Sequence, residues 1–366
     1  MDFSYTFPPV HEDRLDNGLT VIWVPHREQN VFTIALQVPA GKFSDPSGQE
    51  GTAELALGLM QKGTQELDAE MLAEKLEFAG ASLYSDVGDE HILIGCRMLA
   101  KYSETIIPLF WEIVTKPGFR EKELSRLKKE MITALQAELV DPASIANRHF
   151  YAEILGREQL AGRGATGKSI KRVSLGSIRS FYGSFVIPSG STVVLAGDAA
   201  IDQMKSRWVG LFRSWKNPAQ QGRPVRCTTT EPAATTIRLL DKPDLSQTSL
   251  LFGHPVPGEY DNDHEPLAIA NYILGGGNFS SRLMSRVRVV LGNTYNINSQ
   301  ILCNRQFGIF MIATSTQNSQ AGEVLRTILD VYNDISKNGI TSDELEKAKQ
   351  FATGNMAFQL EGIGNV

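Results

Sequence analysis

The chain has 366 residues, with 36 Lys and Arg against 41 Asp and Glu for a formal charge of −5, and 42% of it is hydrophobic. That length allows two or three domains with cores of their own; the mildly acidic balance argues against a nucleic-acid binder, which shows a basic excess. No apolar run approaches the ~18 residues of a membrane-spanning helix, and residues 1–9 lack the order of a signal peptide.

Residues 19–24 and 32–38 alternate apolar and polar side chains, which predicts two strands. A turn over residues 39–43 leads to a helix through residues 55–60. A second helix over residues 68–78 stops at Gly80, and a strand begins near Leu83. Helical patterns follow over residues 121–138 and 145–155, then over residues 174–182, a strand over residues 192–195 and a helix over residues 202–212. Residues 217–236 carry three prolines and little apolar periodicity, and read as a linker.

After the linker the order repeats. Residues 237–240 and 248–252 read as strands, residues 255–260 as a turn and residues 267–274 as a helix. Gly275, Gly276 and Gly277 stop that helix, and Ser280 is placed to cap the next one, residues 281–291, which ends at Gly292 before a strand at Tyr295. Thr341 and Glu344 form a capping box for a last helix, the partner of the one starting near residue 121. Gly41 and Gly258 stand 217 apart, and the other landmarks repeat at similar offsets, as an internal duplication requires. The domains are therefore residues 1–216 and 237–366, the second without counterparts of residues 192–195 and 202–212.

Several motifs carry little chemistry when read alone. Gly162 to Ser169 fits the spacing of a phosphate-binding loop, but a helical pattern precedes it instead of the buried strand such a loop needs. No two of the six histidines stand three or four apart, so no helix offers a paired imidazole face. Cys96, Cys227 and Cys303 are far apart and read as small hydrophobes.

Residues 15–19 (LDNGL), Ala40-Gly41, residues 51–64 (GTAELALGLMQKGT), residues 241–247 (DKPDLSQ) with Gly253-His254, and residues 275–295 (GGGNFSSRLMSRVRVVLGNTY) point further. Together they resemble the insulinase/pitrilysin family of inverzincin zinc peptidases, which includes the mitochondrial processing peptidase. The resemblance covers nearly the whole chain. It implies an α+β fold of two homologous domains, each a mostly antiparallel sheet with helices on one face, the processing-peptidase/LuxS-like metallohydrolase fold.

Active members carry H-x-x-E-H, two zinc ligands and a general base, with a glutamate ligand further on. The matching positions here are Glu54, Leu57, Gly58 and Leu135. Leucine and glycine side chains bind no metal, and leucine activates no water. The resemblance thus implies a non-catalytic subunit, inactive alone and without a cofactor of its own, whose homologous partner would hold the zinc. A homodimer is the other pairing it allows. Arg288 and Tyr295, seven apart, match the pair that in the family binds the substrate backbone and the developing oxyanion. Apart from the family they read as a helix-end cation and a strand aromatic. The family also pairs peptide as an extra strand beside the segment matching residues 82–97. A structural protein on the same fold, as in respiratory-complex cores, is the alternative function. The compartment expected is the cytoplasm, or the periplasm if a signal peptide has been removed.

Overall fold

The computed structural model describes residues 10–26, 29–156, 159–218, 234–290 and 294–359. Contacts divide the chain into two compact units. One is built from residues 2–136 and 164–225, the other from residues 137–163 and 226–358. Most of the linker, including Cys227, lies outside the described residues.

The first unit holds β1 (His11–Arg14), β2 (Thr20–Pro25), β3 (Val31–Val38), β4 (Ser82–Val87), β5 (Ile92–Leu99) and β6 (Thr192–Gly197). They form one sheet in the order β1-β2-β6-β3-β5-β4. Only the β2–β6 pairing is parallel. The period of two in the strands decides where the core lies. Val21 and Trp23 of β2, Ile34 and Leu36 of β3, and Val193 and Leu195 of β6 join the large helix-covered core. The intervening Ile22, Val24, Val31 and Val194 form a small separate cluster on the other face.

The helices in chain order are α1 (Thr52–Met60), α2 (Ala69–Phe78), α3 (Ser103–Thr115), α4 (Glu121–Glu138), α5 (Pro142–Leu155), α6 (Gly167–Arg172), α7 (Leu175–Phe185) and α8 (Ile201–Arg213). Of these, α5 packs in the second unit. Trp111 of α3 meets Phe212 of α8 edge-on at 4.8 Å, in the centre of the first core.

The second unit contains β7 (Gln247–Val256), α9 (His264–Asn271), β8 (Thr294–Cys303), β9 (Gly308–Gln317), α10 (Ala321–Asn338) and α11 (Ser342–Gln359). Its sheet has the order β7-β9-β8, all antiparallel. That is the order of β3-β5-β4, and each strand stands 212 to 216 residues after its counterpart. The helix pair α10 and α11 likewise follows the sheet as α3 and α4 do. The duplication read from the sequence is therefore a duplication of topology.

Five local expectations are corrected. Residues 237–240 form no strand; Ile237 is 85% exposed and unpaired. Its counterpart β2 is held between β1 and β6, and no described strand of the second unit stands in the place of β6. The turn expected from Pro255 starts later, because β7 runs on through Val256. Residues 82–97 are two strands joined by a tight turn, in which the Gly88 amide donates to the His91 carbonyl at 2.9 Å. The helix expected over residues 281–291 adopts the wider i→i+5 pattern of a π-helix over Met284–Val290, as does the end of the preceding one over Tyr272–Gly276. Ser281 rather than Ser280 accepts the Met284 amide, while the Ser280 hydroxyl donates to the Gly277 carbonyl.

Candidate functional site

The helix matching H-x-x-E-H is α1, and its start is built with care. Gly51 has a φ of 104°, a left-handed conformation that favours glycine. From the preceding loop the Asp45 carboxylate accepts the Gly51 amide at 2.6 Å and the Ala53 amide at 2.7 Å. It thereby satisfies donors that a helix N-terminus leaves open. Burial pushes the Asp45 carboxyl up to about 6, against the lowering effect of those two amides. Asp45 was not singled out from sequence; its signal was an Asp-Pro turn whose Asp stands six residues before the helix cap Gly51.

Beyond its first turn α1 is apolar nearly all round. Leu55, Ala56, Leu57, Leu59 and Met60 are buried, as befits a helix inserted into a core. Leu57, at the position the resemblance gives to the general base, is 3% exposed and belongs to the main cluster. Gly58 faces α4: a Cβ there would lie 3.5 Å from Leu127 Cδ1. Leu135, two turns further along α4, packs against the same core. Glu54 is the one carboxylate of the four positions, and its Oε1 lies 3.6 Å from Lys42 Nζ.

The structure thus brings α1 and α4 together, as a zinc site on two helices requires, but the side chains do not fit the metal. Leucine offers no lone pair, Gly58 has no side chain, and a single carboxylate neutralised by a lysine is not a ligand set. Among the described residues no group of three or more His, Cys, Asp and Glu is arranged to hold a metal ion.

In the second unit the backbone of Arg288 lies near the end of the π-helix Met284–Val290, and Tyr295 is the second residue of β8. The β8–β9 register is irregular between Thr294 and Ile297. The side chains of Arg288 and Tyr295, and Gly292 entirely, lie outside the described residues. What precedes Arg288 is firmly fixed, since Leu283, Met284 and Val287 are core residues.

Arg282, one residue before that anchor, was not singled out from sequence. Its Nε and Nη2 donate to the two carboxylate oxygens of Glu344 at 2.7 Å each, Nη1 to Asp334 at 3.0 Å and Nη2 to the Gly339 carbonyl at 3.0 Å. Glu344 also accepts from the Thr341 amide at 2.8 Å, and the Thr341 hydroxyl accepts the Glu344 amide, so the capping box read from the sequence is formed. The Arg282 guanidinium, ahead of all other causes, holds the Glu344 carboxyl down at about 2. This fork clamps the start of the π-helix to the end of α10 and the start of α11.

The other motifs are structural. Gly162 to Ser169 is loop, a short turn and the start of α6, whose cap is the Thr166 hydroxyl accepting the Ser169 amide at 3.0 Å. Cys96 is buried in β5, and desolvation pushes its thiol up to about 12. No helix among the described residues is long and apolar enough to cross a membrane.

Comparison with known proteins agrees with this geometry. The family model described as insulinase, peptidase family M16, matches residues 21–163, and that of the peptidase M16 inactive domain matches residues 172–351. The non-peptidase homolog YmxG of Helicobacter pylori is 27% identical over 331 residues, covering 89% of this chain and 74% of the relative. An uncharacterized zinc protease of Mycobacterium leprae is 23% identical over 349 residues, covering 95% of this chain and 78% of that one. Among solved structures, a peptidase M16 inactive domain from Pseudomonas fluorescens superposes with a TM-score of 0.86 at 25% identity, over 96% of this chain and 86% of its own. A protease from Helicobacter pylori does so with a TM-score of 0.87 at 18% identity, over 98% and 87%. With the two family models together spanning residues 21–163 and 172–351, the second that of the inactive domain, the chain belongs to the insulinase family of peptidases, M16, as a non-catalytic member.

Proposed function

We propose that this chain is the non-catalytic subunit of a heteromeric zinc endopeptidase. A homologous partner with intact H-x-x-E-H supplies the zinc and the base. This chain supplies Arg288 and Tyr295 to bind the peptide backbone and the oxyanion, and half of the closed chamber. The observation that carries the reading is an asymmetry of loss. The base position is a leucine sealed in the core, yet the Arg and Tyr positions keep their residue types and their spacing of seven. The edge strand β4 has one side free of any described strand, a place where a peptide can add by backbone hydrogen bonds.

The test is peptide cleavage by this chain, by the partner and by their mixture. The mixture must exceed either alone, and Arg288→Ala and Tyr295→Phe must lower that excess while leaving association intact. Zinc-dependent cleavage by this chain alone, or a pair that never associates, overturns the reading. A second reading, a structural protein on the same fold, draws on the relative described as a non-peptidase homolog. It predicts association without any gain in cleavage.

A further inference from the structure

In the second unit a groove of about 620 Å³ lies between α5 and the face of the β7-β9-β8 sheet turned away from the core. The size is that of a small-ligand site, which spans ~300–1,000 Å³. Its shape follows from the sequence. Near one end of the sheet α5 is seated closely, with Phe150 over Gly253; a Cβ on Gly253 would come within 2.7 Å of that ring and 2.0 Å of the Phe310 carbonyl oxygen. Further along, α5 offers only the short side chains of Ala143 and Ala146 beside Asn147, and the space opens.

The floor obeys strand alternation. Leu250, Phe252, Phe310 and Ile312 point into the core, so residues of the other parity face the groove. The register places Ser249 opposite Ser315 and Leu251 opposite Ala313, with Asn298 beyond Ala313 on β8. Small residues at the centre make the depression, and the amides of Gln247, Gln317 and Asn298 stand around it. The Ser315 hydroxyl donates to Gln247 Oε1 at 3.2 Å.

The chemistry of this lining is narrow. None of the described lining residues is charged, so an ion entering the groove would lose water without gaining a counter-charge. None is aromatic, so there is no ring for a nucleobase to stack on. What remains are carboxamides and hydroxyls; the Thr314, Ser315 and Thr316 hydroxyls already donate to the Asn296 carbonyl, Gln247 and Gln320, so the carboxamides of Asn147, Asn298 and Gln317 are left to present a donor and an acceptor together. The group that matches them is another uncharged amide. We infer that this groove, which Asn296 next to Tyr295 also lines, binds neutral ligands through their amide groups.

Amides of this kind reach a protein from a capped or internal peptide segment or from an N-acetylated sugar, and two probes separate them. The full chain is titrated calorimetrically with N-acetyl-tetra-alanine amide and with tri-N-acetylchitotriose. The expected result is saturable one-to-one binding of at least one probe. Ser315→Phe, which fills the depression from an exposed position, weakens it by about tenfold or more, and Asn298→Asp, which puts a charge at the rim, by several-fold. Uncapped tetra-alanine, charged at both ends, binds at least about tenfold more weakly than its capped form. Circular dichroism shows whether each variant folds, and Asn298→Asp, also exposed, decides alone should Ser315→Phe fail to. The inference is overturned if neither probe saturates below about 10 mM, or if the folded variants bind as the parent does.

Discussion

Replacing Arg282 by Gln tests the account of how the second unit is clamped. The change removes both bonds to Glu344, the bond to Asp334 and the bond to the Gly339 carbonyl. Glu344 is held at about 2, below the ordinary 4.5 of a glutamate. At ~1.4 kcal/mol per unit that difference corresponds to about 3 kcal/mol. The Glu344 side chain is 28% exposed and the Asp334 side chain 55%, so solvent screening reduces the expected loss to about 1–2 kcal/mol at pH 7. The assay exploits an uneven distribution of tryptophan: Trp23, Trp111, Trp208 and Trp215 all lie before residue 217. Tryptophan fluorescence therefore reports the first unit, and hydrogen exchange of peptides from α10 and α11 reports the second. Exchange there should quicken by about 5- to 30-fold in Arg282→Gln, while the fluorescence transition in urea stays where it was. The sign with pH is fixed: the folded carboxyl is depressed, so its stabilisation is complete above its unfolded value and is lost as pH falls from about 4.5 towards 2. The ratio of exchange rates between variant and parent should shrink over that interval. An equal ratio at pH 7 and about pH 2.5, or no difference at pH 7, would falsify the clamp.

Asp45 has the opposite sign. Its folded value of about 6 lies above the ordinary 3.8 of an aspartate, so the first unit should lose about 2–3 kcal/mol as pH rises from ~4 to ~7. Asp45→Asn should abolish that slope in urea titrations followed by tryptophan fluorescence, and a slope that survives the substitution rules out Asp45 as its source. Leu57→Ala should destabilise the same transition by about 2–5 kcal/mol, the cost of a core cavity. Leu57→Glu should cost more, because it buries a carboxylate without a partner; a variant as stable as the parent would mean that α1 is not sealed as described.

Much of the fold was legible because it rests on local periodicity. The alternation in residues 32–38 and 192–195, the capping box before α11, and the glycine after α2 all act within one turn or one strand. The duplication was legible for a related reason, since the same local signals recur in the same order. The errors arose where a partner decides. Residues 237–240 have strand-like side chains, but a strand forms only when a neighbour supplies its hydrogen bonds, and β2 has β6 where this run has none. The π-helices Tyr272–Gly276 and Met284–Val290 were read as ordinary helices because their apolar residues fit either pitch.

That Leu57, Gly58 and Leu135 bind no metal lies wholly in the sequence, since residue type alone says so. Sequence also fixed the paired spacing of Arg288 and Tyr295. Only the tertiary structure showed that Leu57 is sealed in a core, that Asp45 holds the start of α1 from outside the helix, and that Arg282 joins residues up to 62 positions away. It alone placed α5 over the second sheet and opened the amide-lined groove beneath it. Those features depend on which surfaces meet, and residues far apart in the chain carry no local mark of the contacts they will make.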